Sequence, residues 1–259
     1  MPVYSSPAIL LRRMDFGDFD LIVTFFSLER GKIPLIAKSA KKSQKRFGGI
    51  LELFCELDVV ASTGRGRGLP VLQEAGLKSS FSGIRADITK TAYASYWAEL
   101  IYNWMEEYQR QTQLYYLLKH VLSELDSGHV QQEVLSILFQ VRFLNFTGHR
   151  PNLNHCLRCR TPLEQLEQNR VLFDIVKGGI SCRKCAAGPS TGINLTKGTA
   201  KQLLWLEAGD LTKAFRIRFS AAAIKESLEL LEAFVPYHLG KQPRSLKFLR
   251  QIRQEANVQ

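Results

Sequence analysis

No stretch of this chain approaches the roughly 18 consecutive apolar residues that a membrane-spanning helix requires. Its start, Met1-Pro2-Val3-Tyr4, lacks the basic segment and apolar run of a secretory leader, so a soluble, cytoplasmic protein without membrane contact is expected. Cysteine is scarce. Five among 259 residues cannot build a disulfide scaffold, and four of them fall into two tight pairs. Catalytic signatures are missing as well: there is no G-x4-G-K-[ST] phosphate loop, no G-x-S-x-G nucleophile elbow and no H-E-x-x-H helix. No H-x-E tripeptide precedes the cysteines, which removes the nucleobase deaminases, and Pro2-Val3 lacks the Pro-Glu start of zinc-finger glycosylases. No internal repeat or low-complexity tract interrupts the chain.

What is abundant is positive charge. Lys and Arg number 35 against 24 Asp and Glu, a formal charge of +11 that favours a polyanionic partner such as nucleic acid. With 45% apolar residues the chain can bury substantial cores and divides into two or three units.

Up to about residue 80, short apolar runs alternate with turn residues. Residues 8–11, 21–26, 33–37 and 51–60 read as strands, with Arg30-Gly31-Lys32 and Gly64 to Gly68 as turns, a rhythm that suggests a small barrel. Pro34 should lie on an edge, at a bulge or near a strand start. From residue 84 the apolar period becomes helical, with one helix running from Ile84 to Tyr108 and two more marked by Leu114 to Leu125 and Val130 to Leu144. Helices around 197–207 and 221–235, the second halted by Pro236, resume the pattern. The expected division is residues 1–80 as a barrel, 81–152 with 192–259 as a helical domain, and 153–191 as a cysteine unit inserted in it. The fold class is therefore α+β and multidomain. His120 and His129 are placed at helix ends, and Cys55 reads as a small buried hydrophobe.

Cys156, Cys159, Cys182 and Cys185 form C-x2-C, a 22-residue spacer and a second C-x2-C. Two intervening residues let both sulfurs of a pair reach one ion at about 2.3 Å, so the pattern predicts a single structural Zn2+ in a closed tetrathiolate shell. Arg158, Arg160, Arg183 and Lys184 would offset its net negative charge. His155 abuts the first ligand, but four cysteines already fill the shell. With no open coordination position, this metal should hold a fold rather than activate water.

Two cationic segments lie in the barrel region. Lys38, Lys41, Lys42, Lys45 and Arg46 crowd nine residues that contain no acid, and Arg65 and Arg67 are set among glycines in Gly64 to Gly68. Such loops make natural phosphate contacts. Phe19 and Phe47 are candidate base-stacking residues. Lys241, Arg244, Lys247, Arg250 and Arg253 line a terminal amphipathic segment with Leu246, Leu249 and Ile252 on its apolar side. Two other classes remain open at this level: a zinc-stabilised nuclease or glycosylase using Asp15, Asp18 and Asp20, and a ribosome-associated, RNA-binding zinc protein.

In order along the chain, Ile9-Leu10-Leu11-Arg12-Arg13, Asp18 to Val23, Arg30-Gly31-Lys32, Ala37 to Lys42, Arg46-Phe47-Gly48, Glu99-Leu100 and Arg142-Phe143-Leu144 precede Gly148-His149-Arg150-Pro151. The four cysteines, Gly178-Gly179 and Arg244 to Leu249 follow. This succession resembles the bacterial RecO family of recombination mediators over most of the chain. The resemblance implies an N-terminal OB-fold, a helical domain and a zinc module. It also implies a non-enzymatic DNA-repair activity: binding of single-stranded and double-stranded DNA, annealing of complementary strands, and loading of RecA with RecR on DNA coated by single-strand-binding protein (SSB), whose C-terminal tail is a further partner. A cytoplasmic, nucleoid-associated location goes with it. Carried over by position, Lys38, Lys41, Lys42, Lys45 and Arg46 become the DNA contact. This chain reads Lys38-Ser39-Ala40 where many members read Lys-Gly-Ala, and some members lack the cysteines.

Overall fold

The computed structural model of the chain describes residues 3–63, 68–186, 192–211, 214 and 218–256. They fall into two compact units, Met1–Ser127 with Phe248–Gln259, and Gly128–Lys247.

The first unit opens with a closed five-stranded barrel. Strands β1 (Val3–Phe16), β2 (Asp20–Ser27), β3 (Gly31–Ala37), β4 (Glu56–Ser62) and β5 (Val71–Ser79) run in the order β1-β2-β3-β5-β4, with β4 returning to pair β1. This OB-like order leaves one thin seam: β3 and β5 are parallel and share the single pair Ile36↔Val71, with the Ile36 N–H donating to the Pro70 carbonyl at 2.9 Å. Pro34 sits in β3 opposite Thr24 of β2, and beside it on the seam no ladder requires its missing N–H. Inward rows of Leu10, Val23, Phe25, Leu35, Leu57 and Val59 fill the barrel with no exposed surface. Each such side chain stabilises the fold by about 1.5–3 kcal/mol.

Two differences from the sequence reading have clear causes. Residues 51–55 were expected to start a strand, but Phe54 takes a left-handed φ of 71° and Cys55 turns inward, so β4 begins only at Glu56. The apolar residues there follow a buried bend, not a strand. β5 has no counterpart in the expected strands because Leu72 is its one fully buried side chain, which hides the alternation.

The expected helix from Ile84 to Tyr108 divides in two. Short α2 (Ser82–Arg85) gives way to α3 (Ile88–Trp104), because the Asp87 carboxylate caps the Thr89 and Lys90 N–H groups at 2.8 and 3.0 Å. In α3, Tyr93, Tyr96, Trp97, Leu100 and Ile101 are all buried. α4 (Thr112–Ser127) follows, and His120 lies within it rather than at an end. Glu56 at the start of β4 is 1% exposed and accepts from the Tyr115 hydroxyl at 3.0 Å and the Lys119 ammonium at 2.7 Å, tying barrel to helix. Burial, reinforced by that carboxylate, pushes the Tyr115 hydroxyl pKa upward. Gly31 joins the same region: its φ is +66° and any Cβ there would overlap the Gln109 carbonyl.

The second unit packs α5 (Gln132–Phe146), α6 (Lys197–Ala208) and α7 (Ala221–Leu239) with a three-stranded sheet of β6 (Arg170–Asp174), β7 (Gly179–Ser181) and β8 (Ile193–Thr196), in the order β7-β6-β8. Every residue of α5 from Val134 to Leu144 is buried, as befits a central helix. The buried Arg142 guanidinium donates to the carbonyls of Leu206 and Gly209 at the end of α6, satisfying groups the helix leaves open. Pro236 does not halt α7. A proline this near the C-terminus removes one hydrogen bond, and the helix ends instead at Gly240, in the left-handed conformation with φ 71°. The terminal helix α8 (Arg244–Ala256), which from Phe248 on belongs to the first unit, buries Leu246 and Leu249 as its amphipathic pattern foretold.

Candidate metal centre and nucleic-acid interface

The two cysteine pairs, 22 residues apart in sequence, converge in space, and all four sulfurs lie within 4.8 Å of one another. Each pair sits on a tight turn. The Arg160 N–H donates to the Cys156 carbonyl at 3.0 Å, and the Cys185 and Ala186 N–H groups donate to the Cys182 carbonyl at 3.0 and 2.9 Å. Arg160 closes the first turn with a left-handed φ of 60°. The β6–β7 hairpin delivers the second pair through Gly178-Gly179, where a Cβ on Gly179 would press within 2.9 Å of Leu157. The Cys182 N–H points at the Cys156 sulfur at 3.4 Å, a contact that suits a thiolate.

The donor set fits a tetrahedral ion. Sulfurs at about 2.3 Å from a common centre stand about 3.8 Å apart, and the Cys159–Cys182 sulfur separation is 3.8 Å. Without a cation four sulfurs so close cannot all ionise. Hydrogen bonds from the Thr161 hydroxyl and N–H hold the Cys159 thiol down to about 6, whereas Cys185, hydrogen-bonded first to Cys182, is pushed up to about 12. A divalent cation would remove that conflict by favouring all four thiolates. His155 lies outside the set: its ring is engaged by Asn152 at 3.2 Å and Arg160 at 2.9 Å. Lys184, expected to offset thiolate charge, is paired with Glu167 at 3.4 Å.

The basic loop follows β3. Lys38, Lys41 and Lys42 lead into α1 (Gln44–Phe47), which holds Lys45 and Arg46, and all five cations are exposed. The loop is fastened to the β1–β2 hairpin. The Asp20 carboxylate accepts the Ser39 N–H at 2.7 Å, the Lys41 N–H donates to the Phe19 carbonyl at 3.1 Å, and the Lys41 ammonium pairs with Asp15 at 3.2 Å. Ser39 has a φ of 54°, and the Asp20 anchor holds it in that strained region. The Arg46 guanidinium folds back on the Lys38 carbonyl at 2.9 Å, and the Lys42 ammonium lies 3.3 Å from the centre of the Phe19 ring. Beside the loop, at the barrel mouth, a cleft of about 280 Å³ is lined by Arg13, Asp15, Lys41, Phe47 and Glu52.

Asp15 and Asp20, considered for metal-dependent cleavage, thus brace the loop. Among the described residues the four cysteines are the one group with metal-holding geometry. Phe47 is buried in the barrel core, 3% exposed, so it supports the loop from beneath and presents no face to a base. Phe19 is 43% exposed. Arg65 and Arg67 lie outside the described residues.

Two family descriptions together cover nearly the whole chain: Recombination protein O N terminal matches residues 1–81, and Recombination protein O C terminal matches residues 85–247. The chain belongs to the RecO family. A protein named DNA repair protein RecO from Desulfatibacillum aliphaticivorans is 46% identical over 254 residues, covering 98% of both chains. Its namesake from Desulfosudis oleivorans is 45% identical over 258 residues, covering 98% of this chain and 99% of the relative. A third, from Syntrophus aciditrophicus, is 34% identical over 96% of each.

For a RecO chain, sequence reasoning overlooked Phe16. It pairs with Asp20 across the hairpin and is 51% exposed. The available signal was Phe16-Gly17-Asp18-Phe19, a Gly-Asp turn bracketed by two aromatics. Arg13, which with Arg12 could extend the cationic path from the sequence alone, has its guanidinium paired with Glu52 at 2.7 Å.

Proposed function

We propose that this chain is a non-catalytic recombination mediator in DNA repair. It binds single-stranded DNA through Lys38, Lys41, Lys42, Lys45 and Arg46, anneals complementary strands, and with RecR loads RecA onto SSB-coated DNA. The observation that carries the reading is the concentration of five exposed cations on one braced loop of an OB-like barrel, in a chain of the RecO family. Cations spread along such a loop displace counterions from a phosphate backbone, and a surface that neutralises two backbones lowers the repulsion that keeps complementary strands apart. Arg65 and Arg67 would extend the path and double-stranded DNA would bind through the same phosphate contacts. The helical part, residues 81–152 and 192–259, would receive the acidic tail of SSB.

Zn2+ is the ion we assign to Cys156, Cys159, Cys182 and Cys185. When bound it supplies four coordinate bonds and no open position, so it braces residues 153–191 and takes part in no reaction.

The reading is tested by strand annealing and by anisotropy with labelled oligonucleotides, without nucleotide, for wild type and Lys41→Glu/Lys42→Glu across a salt series. The variant should anneal poorly and bind DNA more weakly. Loss of two phosphate contacts should flatten the slope of log affinity against log salt by about 1.4 on a single strand. Unchanged affinity and slope would remove the loop from the interface.

A further inference from the structure

We propose that Phe16 and Phe19 form a base-stacking platform that biases the basic loop toward single-stranded nucleic acid; the inference rests on that loop being the nucleic-acid contact. Both rings stand at the tip of the β1–β2 hairpin, either side of Gly17-Asp18, and are 51% and 43% exposed. Phe16 shares its strand face with Met14, 42% exposed, whereas Asp15 alternates with them and pairs with the inward Leu21. Gly17 holds the tip with a φ of +59°, and nothing lies within 4 Å of where its Cβ would be, so the turn leaves open space around it.

The hairpin is part of the cationic site, not a bystander. The Phe19 carbonyl accepts the Lys41 N–H at 3.1 Å, and the Lys42 ammonium covers one face of the Phe19 ring at 3.3 Å. A base stacked on the uncovered part of that ring would place its own phosphate beside Lys42. Duplex bases already stack on each other and offer no face, whereas every unpaired base does, so aromatics beside cations discriminate by strandedness and tolerate any sequence. The lysines alone could not: phosphate contacts are common to both forms.

The experiment compares a single-stranded oligonucleotide with its duplex at one stated salt concentration, using the full chain. Phe16→Ala/Phe19→Ala should lower single-strand affinity by roughly tenfold or more, leave duplex affinity within about twofold, and keep the salt slope of wild type, because no phosphate contact is lost. Phe19→Leu, which keeps apolar bulk without a π face, should show the same selective loss in part, and Phe19→Tyr should restore it. Equal losses on both forms, or no loss on the single strand, overturn the platform. Lys41→Glu/Lys42→Glu run alongside distinguishes the two levels: weakening of both forms upholds the site, while unchanged binding of both forms defeats the site reading itself.

Discussion

In the cysteine cluster each pair of ligands is shaped by hydrogen bonds inside its own turn, Arg160 to Cys156 and Ala186 to Cys182, and one hairpin then brings the pairs together. The basic loop is held from elsewhere. Asp15, Phe19 and Asp20 of the β1–β2 hairpin fix the backbone and side chains of Ser39, Lys41 and Lys42, and Phe47 plugs the loop into the barrel core. A metal shell therefore depends on short-range spacing and on the ion, whereas the charged surface depends on tertiary partners that no local motif announces. Loss of either should leave the other standing.

The largest effect tests that independence directly. Cys182→Ser should abolish stoichiometric zinc in metal analysis and open residues 150–190 to limited proteolysis, since the ion's binding energy is folding energy for the segment around it. DNA binding by the barrel should stay within about twofold of wild type, a span of under 1 kcal/mol. A collapse of DNA binding with the barrel still folded would join the two sites and break the comparison. On the other side, Phe47→Ala removes a buried aromatic and should destabilise the first unit by about 3–5 kcal/mol in denaturant unfolding. Zinc content should not change.

The difference in construction also explains what was readable in the sequence. C-x2-C pairs announce themselves because their geometry is local, and the helices of the interior were visible through their apolar period even where Asp87 cuts one of them and Pro236 fails to end another. The cations of the loop were visible as composition. Their anchors were not, because Asp15 and Asp20 looked like a carboxylate cluster until the fold set them against Lys41 and the Ser39 N–H. Phe47 and Phe19, equal in sequence, separate only in three dimensions: one is buried and the other half-exposed. β5 escaped notice for a related reason, since a strand with a single fully buried side chain leaves little period to detect.

A subtler perturbation sharpens the contrast within the loop itself. Asp20→Ala removes the acceptor of the Ser39 N–H and should loosen the strained turn, costing about 1 kcal/mol of stability and weakening DNA binding through added loop entropy. Asp20→Asn keeps an oxygen for that N–H while deleting a negative charge beside the phosphate path. It should bind DNA somewhat more tightly than wild type at low salt, with the gain fading as salt rises. If both substitutions tightened DNA binding, Asp20 would act through charge alone and the anchor would be dispensable.

The smallest effect lies in the second unit, at Glu226 of α7. Burial opposes its ionisation, but the Thr196 N–H at 2.9 Å, the hydroxyls of Thr199 and Thr196, and Arg170 at 3.6 Å outweigh that and hold the carboxyl below its ordinary value of 4.5. A folded-state pKa lowered in this way contributes stability that is present above the unfolded value and is lost as pH falls through the folded one. Acid titration of the wild type should therefore loosen the junction of β8, α6 and α7 below about pH 4.5. Glu226→Gln should be modestly less stable at neutral pH and lose less on acidification, so the two curves converge in acid. Hydrogen exchange at the Thr196 and Thr199 amides follows this locally, apart from any acid release of metal from the cysteines. Parallel curves for the two proteins would show that the Thr196–Glu226 contact contributes nothing to the second unit's pH dependence, and that its acid sensitivity arises from other groups.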